Sequence, residues 1–86
     1  MSAEIRVTVR YFAAARAAAG TEAETVTLPS GATLAELVDG LAQRNARLAT
    51  VLTRCSYLCD GIAVRDDAAP LRPDDTIDVL PPFAGG

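Results

Sequence analysis

The sequence predicts an α+β domain in which one main helix packs across a mixed sheet, and three stretches carry the prediction. Ile5, Val7, Val9 and Tyr11 alternate with Arg6, Thr8 and Arg10, the period-two pattern of a strand with one face on a core. Leu34, Leu37, Val38 and Leu41 recur at helical spacing behind Thr33 and Glu36, a residue pair spaced as a capping box. Ile77 and Val79 alternate with Asp78 just before Pro81-Pro82, and two prolines end a strand because they cannot continue its ladder. With 86 residues the chain has interior for one core and none for a second. Half of the residues are apolar and 22% are charged, a balance that suits a packed globule and argues against disorder.

Taken in order, the opening strand runs into Ala13 to Ala19, an alanine-rich helix broken only by Arg16 and closed by Gly20. Seven residues are marginal alone, so this helix must lean on the sheet. Glu24 to Leu28 reads as a strand, stopped by the turn formers Pro29-Ser30-Gly31, and its closeness to the first strand predicts an antiparallel pair with the alanine segment as its loop. The main helix carries Gly40 at a cost of about 1 kcal/mol relative to alanine, and Asn45 is its expected end. Leu48, Val51 and Leu52 are spaced for one more short helical turn. Ser56 to Cys59 and Ile62 to Val64 form a hairpin about Asp60-Gly61, a pair suited to the positive φ angles of a two-residue turn. Asp66 to Asp75 is an irregular connection rich in Asp and Pro, and its carboxylates read as solvated turn residues, without the spacing of a calcium loop. Thr76 to Leu80 is the last strand. Strand, strand, helix, strand pair, strand is the order of a β-grasp domain.

The composition excludes several function classes. A net charge of -3 leaves no basic stripe for phosphates, so nucleic acid is not an expected partner, and a large partner is expected to be neutral or basic. No apolar run approaches the ~20 residues of a membrane span and the start is no signal peptide, so the chain is expected to be cytoplasmic and off the membrane. The absence of histidine removes Ser-His-Asp and Cys-His nucleophiles and every His-containing metal site. Cys55 and Cys59 read as lying in one strand, about 13 Å apart. A disulfide between them is excluded at that span, and two thiols are too few for structural zinc, so they are expected to be buried, reduced and unmetallated.

The last six residues, Pro81-Pro82-Phe83-Ala84-Gly85-Gly86, add little to a core but add reach, about 20 Å if extended. Prolines stiffen the base of such a tail, Phe83 offers an apolar anchor, and two glycines pass through a narrow channel because they lack Cβ. The reacting group would be the terminal carboxylate, a poor electrophile until converted to an acyl-adenylate and then attacked by sulfur. An activating enzyme would supply the metal and the charge stabilisation. A terminal Gly-Gly alone reads more simply as a flexible end; following a strand and a Pro-Pro exit, it points to function.

Three stretches resemble the MoaD/ThiS family of ubiquitin-like sulfur carriers, specifically the small subunits of molybdopterin synthase, and the likeness covers nearly the whole chain. Tyr11-Phe12-Ala13-Ala14-Ala15-Arg16 closing at Gly20 is similar to the family's aromatic-aromatic-Ala segment. Asp60-Gly61 stands where the family has an Asn-Gly-like turn. Pro81 to Gly86 is similar to its Pro-Pro-hydrophobic-x-Gly-Gly ending, the most specific of the three. Two departures are visible, Asp60 for the usual asparagine and aliphatic Leu80 where an aromatic is frequent.

The resemblance implies a ubiquitin-like body over residues 1–80 and a tail over 81–86. It implies that an E1-like, MoeB-like enzyme using MgATP adenylates Gly86, with Gly85 beside it, and that a sulfur donor system converts the adenylate to a thiocarboxylate. Docked in a MoaE-like large subunit as part of a heterotetramer, that thiocarboxylate would donate sulfur to cyclic pyranopterin monophosphate. The chain itself would be a substrate, sulfurtransferase only as part of the synthase, binding no cofactor or metal. Phe12, Ile62, Leu80, Pro81, Pro82, Phe83 and Ala84 are the implied partner contacts, with interior packing an equal reading for Phe12, Ile62 and Leu80. Arg16 reads as solubilising its helix. Two other functions stay open: a sulfur carrier for thiamine thiazole or cysteine synthesis, and a ubiquitin-like binding module whose Gly-Gly is incidental.

Overall fold

A computed structural model describes residues 3–82. The elements are β1 (Glu4–Tyr11), α1 (Ala13–Ala19), β2 (Ala23–Pro29), α2 (Leu34–Arg44), α3 (Ala46–Leu52), β3 (Ser56–Cys59), β4 (Ile62–Ala63) and β5 (Thr76–Leu80). Five strands form one sheet in the order β2-β1-β5-β3-β4. β1 pairs antiparallel with β2 and parallel with β5, while β3 runs antiparallel to both β5 and β4. This mixed sheet with helices across it is the β-grasp fold.

Alternation in β1 decides where the core sits. Ile5, Val7, Val9 and Tyr11 are buried, joined by Ile77 and Val79 of β5, and against them pack Leu34, Leu37 and Leu41 of α2, Leu48 and Leu52 of α3, and Ala15 of α1. Their alternates Arg6, Arg10, Thr25 and Thr27 are exposed, so the helices cover one face of the sheet and leave the other open. Burying each large aliphatic side chain contributes roughly 1.5–3 kcal/mol, which is how a helix as short as α3 persists through Leu48 and Leu52, whereas α1 buries only Ala15.

The joints are specific. Thr33 Oγ1 accepts from the Glu36 amide at 3.2 Å, and Glu36 Oε1 accepts from the Thr33 amide at 3.2 Å, the reciprocal box read from the sequence. Asn45 ends α2 and opens α3: its Oδ1 accepts from the amides of Arg47 and Leu48, and its Nδ2 donates to the Ala18 carbonyl at the end of α1. The turn expected at Leu48 to Leu52 is therefore a full seven-residue helix. Glu24 binds across layers, accepting from Tyr11 Oη at 2.8 Å and from Arg44 at 3.0 Å. Asp60 and Gly61 take φ angles of 50° and 84°, as a tight hairpin with right-handed strand twist requires. Two local expectations change. Cys55 precedes β3 and bonds back to the Val51 carbonyl, so the cysteines do not share the strand, and both thiols are free and half-buried. Val64 lies beyond β4, whose register with β3 ends at Ala63.

Candidate functional site

Parallel pairing of β1 with β5 brings the strand ends together. Tyr11 pairs with Val79, so Phe12, just past β1, lies beside Leu80, the last residue of β5, and the Phe12 amide donates to the Val79 carbonyl at 3.3 Å. Phe12 has extended backbone, while Ala13 at once adopts φ of 50°, a left-handed conformation that costs a non-glycine residue roughly 1–2 kcal/mol. That single residue turns the chain from strand into α1 and leaves Phe12 38% exposed. Leu80 and Pro81 are half-buried and Pro82 is exposed. Phe83, Ala84, Gly85 and Gly86 lie outside the described residues.

Next to this exit lies an ion pair on the open face. Arg10 Nε donates to Asp78 Oδ1 at 2.6 Å and Arg10 Nη2 donates to Oδ2 at 2.8 Å. The Asp78 side chain is only 8% exposed, against 52% for Arg10. The hydrogen bond and the carboxylate charge raise the Arg10 pKa above its ordinary value, so the guanidinium stays charged throughout the working range. Its Cζ lies 5.6 Å from the centroid of the Phe12 ring, within the reach of a cation–π contact.

Ile62 stands apart. It is 72% exposed, but it pairs with Cys59, which pairs with Ile77. Paired residues share a face, which puts Ile62 on the helix side of the sheet and two strands from β5, whereas Leu80 faces the open side. The structure thus unites Phe12, Leu80, Pro81 and Pro82 and separates Ile62 from them. Arg16 meets Glu22 at 3.4 Å with both side chains well exposed.

Ligand atoms of Cys59, Asp60 and Asp75 lie within 4.8 Å of one another. The carboxylates are already engaged, Asp75 Oδ2 with the Arg72 amide and Asp60 Oδ1 with the Thr76 amide, where they tie the turn before β5. Burial, followed by Asp75, pushes the Cys59 thiol up to about 11, so it is a neutral thiol near pH 7 and a poor nucleophile. Burial likewise raises the Cys55 thiol.

The alternating patterns place Arg10 and Asp78 on one face of their strands, but nothing in them reveals that residues so distant in the chain are neighbours. Ala13 was equally hidden within a run of alanines.

The ThiS family matches residues 9–86 of the chain. A molybdopterin synthase sulfur carrier subunit from Chlamydomonas reinhardtii is 29% identical over 83 residues, covering 95% of this chain and 100% of that protein. Among solved structures, a Haloferax volcanii protein is 26% identical with a TM-score of 0.85, over 96% of this chain and 88% of that one. A complex of subunits 1 and 2 of molybdopterin-converting factor from Helicobacter pylori matches at 26% identity and a TM-score of 0.72, over 95% of this chain and 100% of that chain. The small archaeal modifier protein 1 of Methanosarcina acetivorans, at 24% identity and a TM-score of 0.81 over 98% of this chain and 99% of that one, shares the fold. With the family match running through to Gly86 on a β-grasp body, the chain belongs to the ThiS/MoaD superfamily of ubiquitin-like sulfur carriers.

Proposed function

We propose that this chain carries sulfur on the carboxylate of Gly86 and delivers it in molybdopterin biosynthesis, as the small subunit of molybdopterin synthase. The observation that carries the proposal is the continuity of the family match through Pro81-Pro82 to Gly86, directly behind the strand β5 that ends at Leu80. Residues 1–80 are the body that is recognised, and residues 81–86 are the arm that is processed. An E1-like enzyme holding MgATP joins the carboxylate to AMP with loss of pyrophosphate. Sulfide-level sulfur from a donor system then attacks the acyl carbon and expels AMP, leaving a thiocarboxylate. The arm enters the active site of the large subunit, where cyclic pyranopterin monophosphate takes the sulfur. In this scheme the chain is a cytoplasmic protein that holds no cofactor of its own.

Support for the molybdopterin branch comes from the Chlamydomonas carrier subunit and from the Helicobacter complex, whose two named subunits make a larger partner the natural expectation. The ThiS family match equally favours a second branch, sulfur delivery to thiamine thiazole or to cysteine. Purified thiocarboxylate chain, mixed with the large synthase subunit and the pterin precursor, is expected to yield molybdopterin. No molybdopterin, together with thiazole or cysteine formed by the matching enzymes, would assign the chain to the second branch.

A further inference from the structure

We propose that Arg10, oriented by Asp78, determines which partner the open face accepts, by requiring that partner to place a carboxylate against the free edge of the guanidinium. The inference rests on the reading above, in which a large subunit closes around the arm. A partner receiving the arm must cover its point of exit, and Phe12, Leu80 and the Arg10–Asp78 pair surround that point.

A guanidinium has five N–H donors in a fixed plane. Asp78 takes the side-on pair, Nε and Nη2, at 2.6 and 2.8 Å. The end-on pair, one N–H from each terminal nitrogen, makes no hydrogen bond among the described residues. It has the geometry of a second bidentate carboxylate site. Two contacts fix its direction: Asp78, whose side chain is 8% exposed, and the Phe12 ring at 5.6 Å. The fork is therefore ordered before any partner arrives, which reduces the entropy lost on binding.

Selectivity follows from desolvation. The Arg10 side chain is 52% exposed, so its free donors are hydrated in the isolated chain. Docking against Phe12 and Leu80 removes that water. Donors stripped of water without a new acceptor penalise the complex, whereas a carboxylate in the plane of the fork satisfies two at once. An apolar partner surface of the same shape is rejected.

The test measures affinity for the large synthase subunit encoded in the same genome, by titration calorimetry. Removing Arg10 alone would leave Asp78 buried and unpaired, so one variant replaces both, Arg10→Leu with Asp78→Leu. A second, Arg10→Lys, keeps the charge and loses the fork. Thermal unfolding and circular dichroism establish that each variant is folded. Binding weakened at least tenfold in both folded variants is the expected result, with the loss in Arg10→Lys accompanied by little change in melting temperature. A folded double variant that binds within twofold of the parent chain would overturn the role of Arg10 and leave the docking itself standing. Failure of the parent chain to bind the large subunit would overturn the docking and this inference together.

Discussion

At Cys59 the thiol lies between Asp60 and Asp75 on a half-buried strand, and burial with the nearby carboxylates raises its pKa to about 11. Sulfur chemistry in a carrier protein makes any spare thiol a potential diversion, since thiolates attack acyl-adenylates and persulfides. Here the proton is retained. Relative to an ordinary thiol near 9, a shift to about 11 lowers the thiolate fraction at pH 8 by roughly a hundredfold. Alkylation of Cys59 by iodoacetamide in the folded chain, followed by peptide mass spectrometry, is expected to be correspondingly slow at pH 8 and to accelerate through pH 10 to 11. Half-maximal rate near pH 9 in folded protein would contradict this. The cysteines also show what residue types alone cannot tell. Both thiols are free, but the shared strand from which spacing argued this does not exist, because Cys55 precedes β3, and the proximity of Asp75 was not legible because the loop from Arg65 to Asp75 has no periodicity to place it.

Asn45 shows how elements were legible in kind and less so in extent. As a polar residue after an apolar stripe it marked the end of α2, yet it also caps α3 and holds the end of α1 through the Ala18 carbonyl. One residue closing two helices and starting a third leaves no gap in the sequence by which the third announces itself, so the spacing of Leu48, Val51 and Leu52 declares only a single turn of α3. Asn45→Ala removes a cap worth about 1 kcal/mol and a hydrogen bond worth about 0.5–1.5 kcal/mol. The expected loss is about 1–3 kcal/mol, measured by urea denaturation with an unchanged m-value. A loss under about 0.5 kcal/mol would contradict the joint described for α1, α2 and α3. Strands with one buried face were the most legible elements, since Ile5 to Tyr11 and Thr76 to Leu80 declare their faces by alternation. Which strands pair was less so. The β1–β2 hairpin and the Asp60-Gly61 turn follow from short connections, whereas the parallel β1–β5 pairing joins opposite ends of the chain. That pairing creates the juxtaposition of Phe12 with Leu80 and of Arg10 with Asp78, and so the part of the site that pattern alone did not show.

Taken whole, the molecule is a small sheet whose last strand is held between β1 and β3, so that Pro81 and Pro82 follow a strand paired on both sides. The helices bury one face, and the exit of β5 is flanked on the other by Phe12, Leu80 and a pre-oriented arginine. In a protein of net charge -3, the open face carries the paired charges of Arg10 and Asp78 beside that exit. Sulfur carriage at the end of the chain is tested directly by intact-mass spectrometry. The chain is incubated with an E1-like activating enzyme, MgATP and a sulfur donor, beside a variant carrying one extra residue after Gly86. The parent chain is expected to gain the mass of one oxygen-to-sulfur exchange, located at Gly86 in the C-terminal peptide, and the extended variant to gain none. An unchanged parent mass, or equal sulfur uptake by both chains, would contradict it.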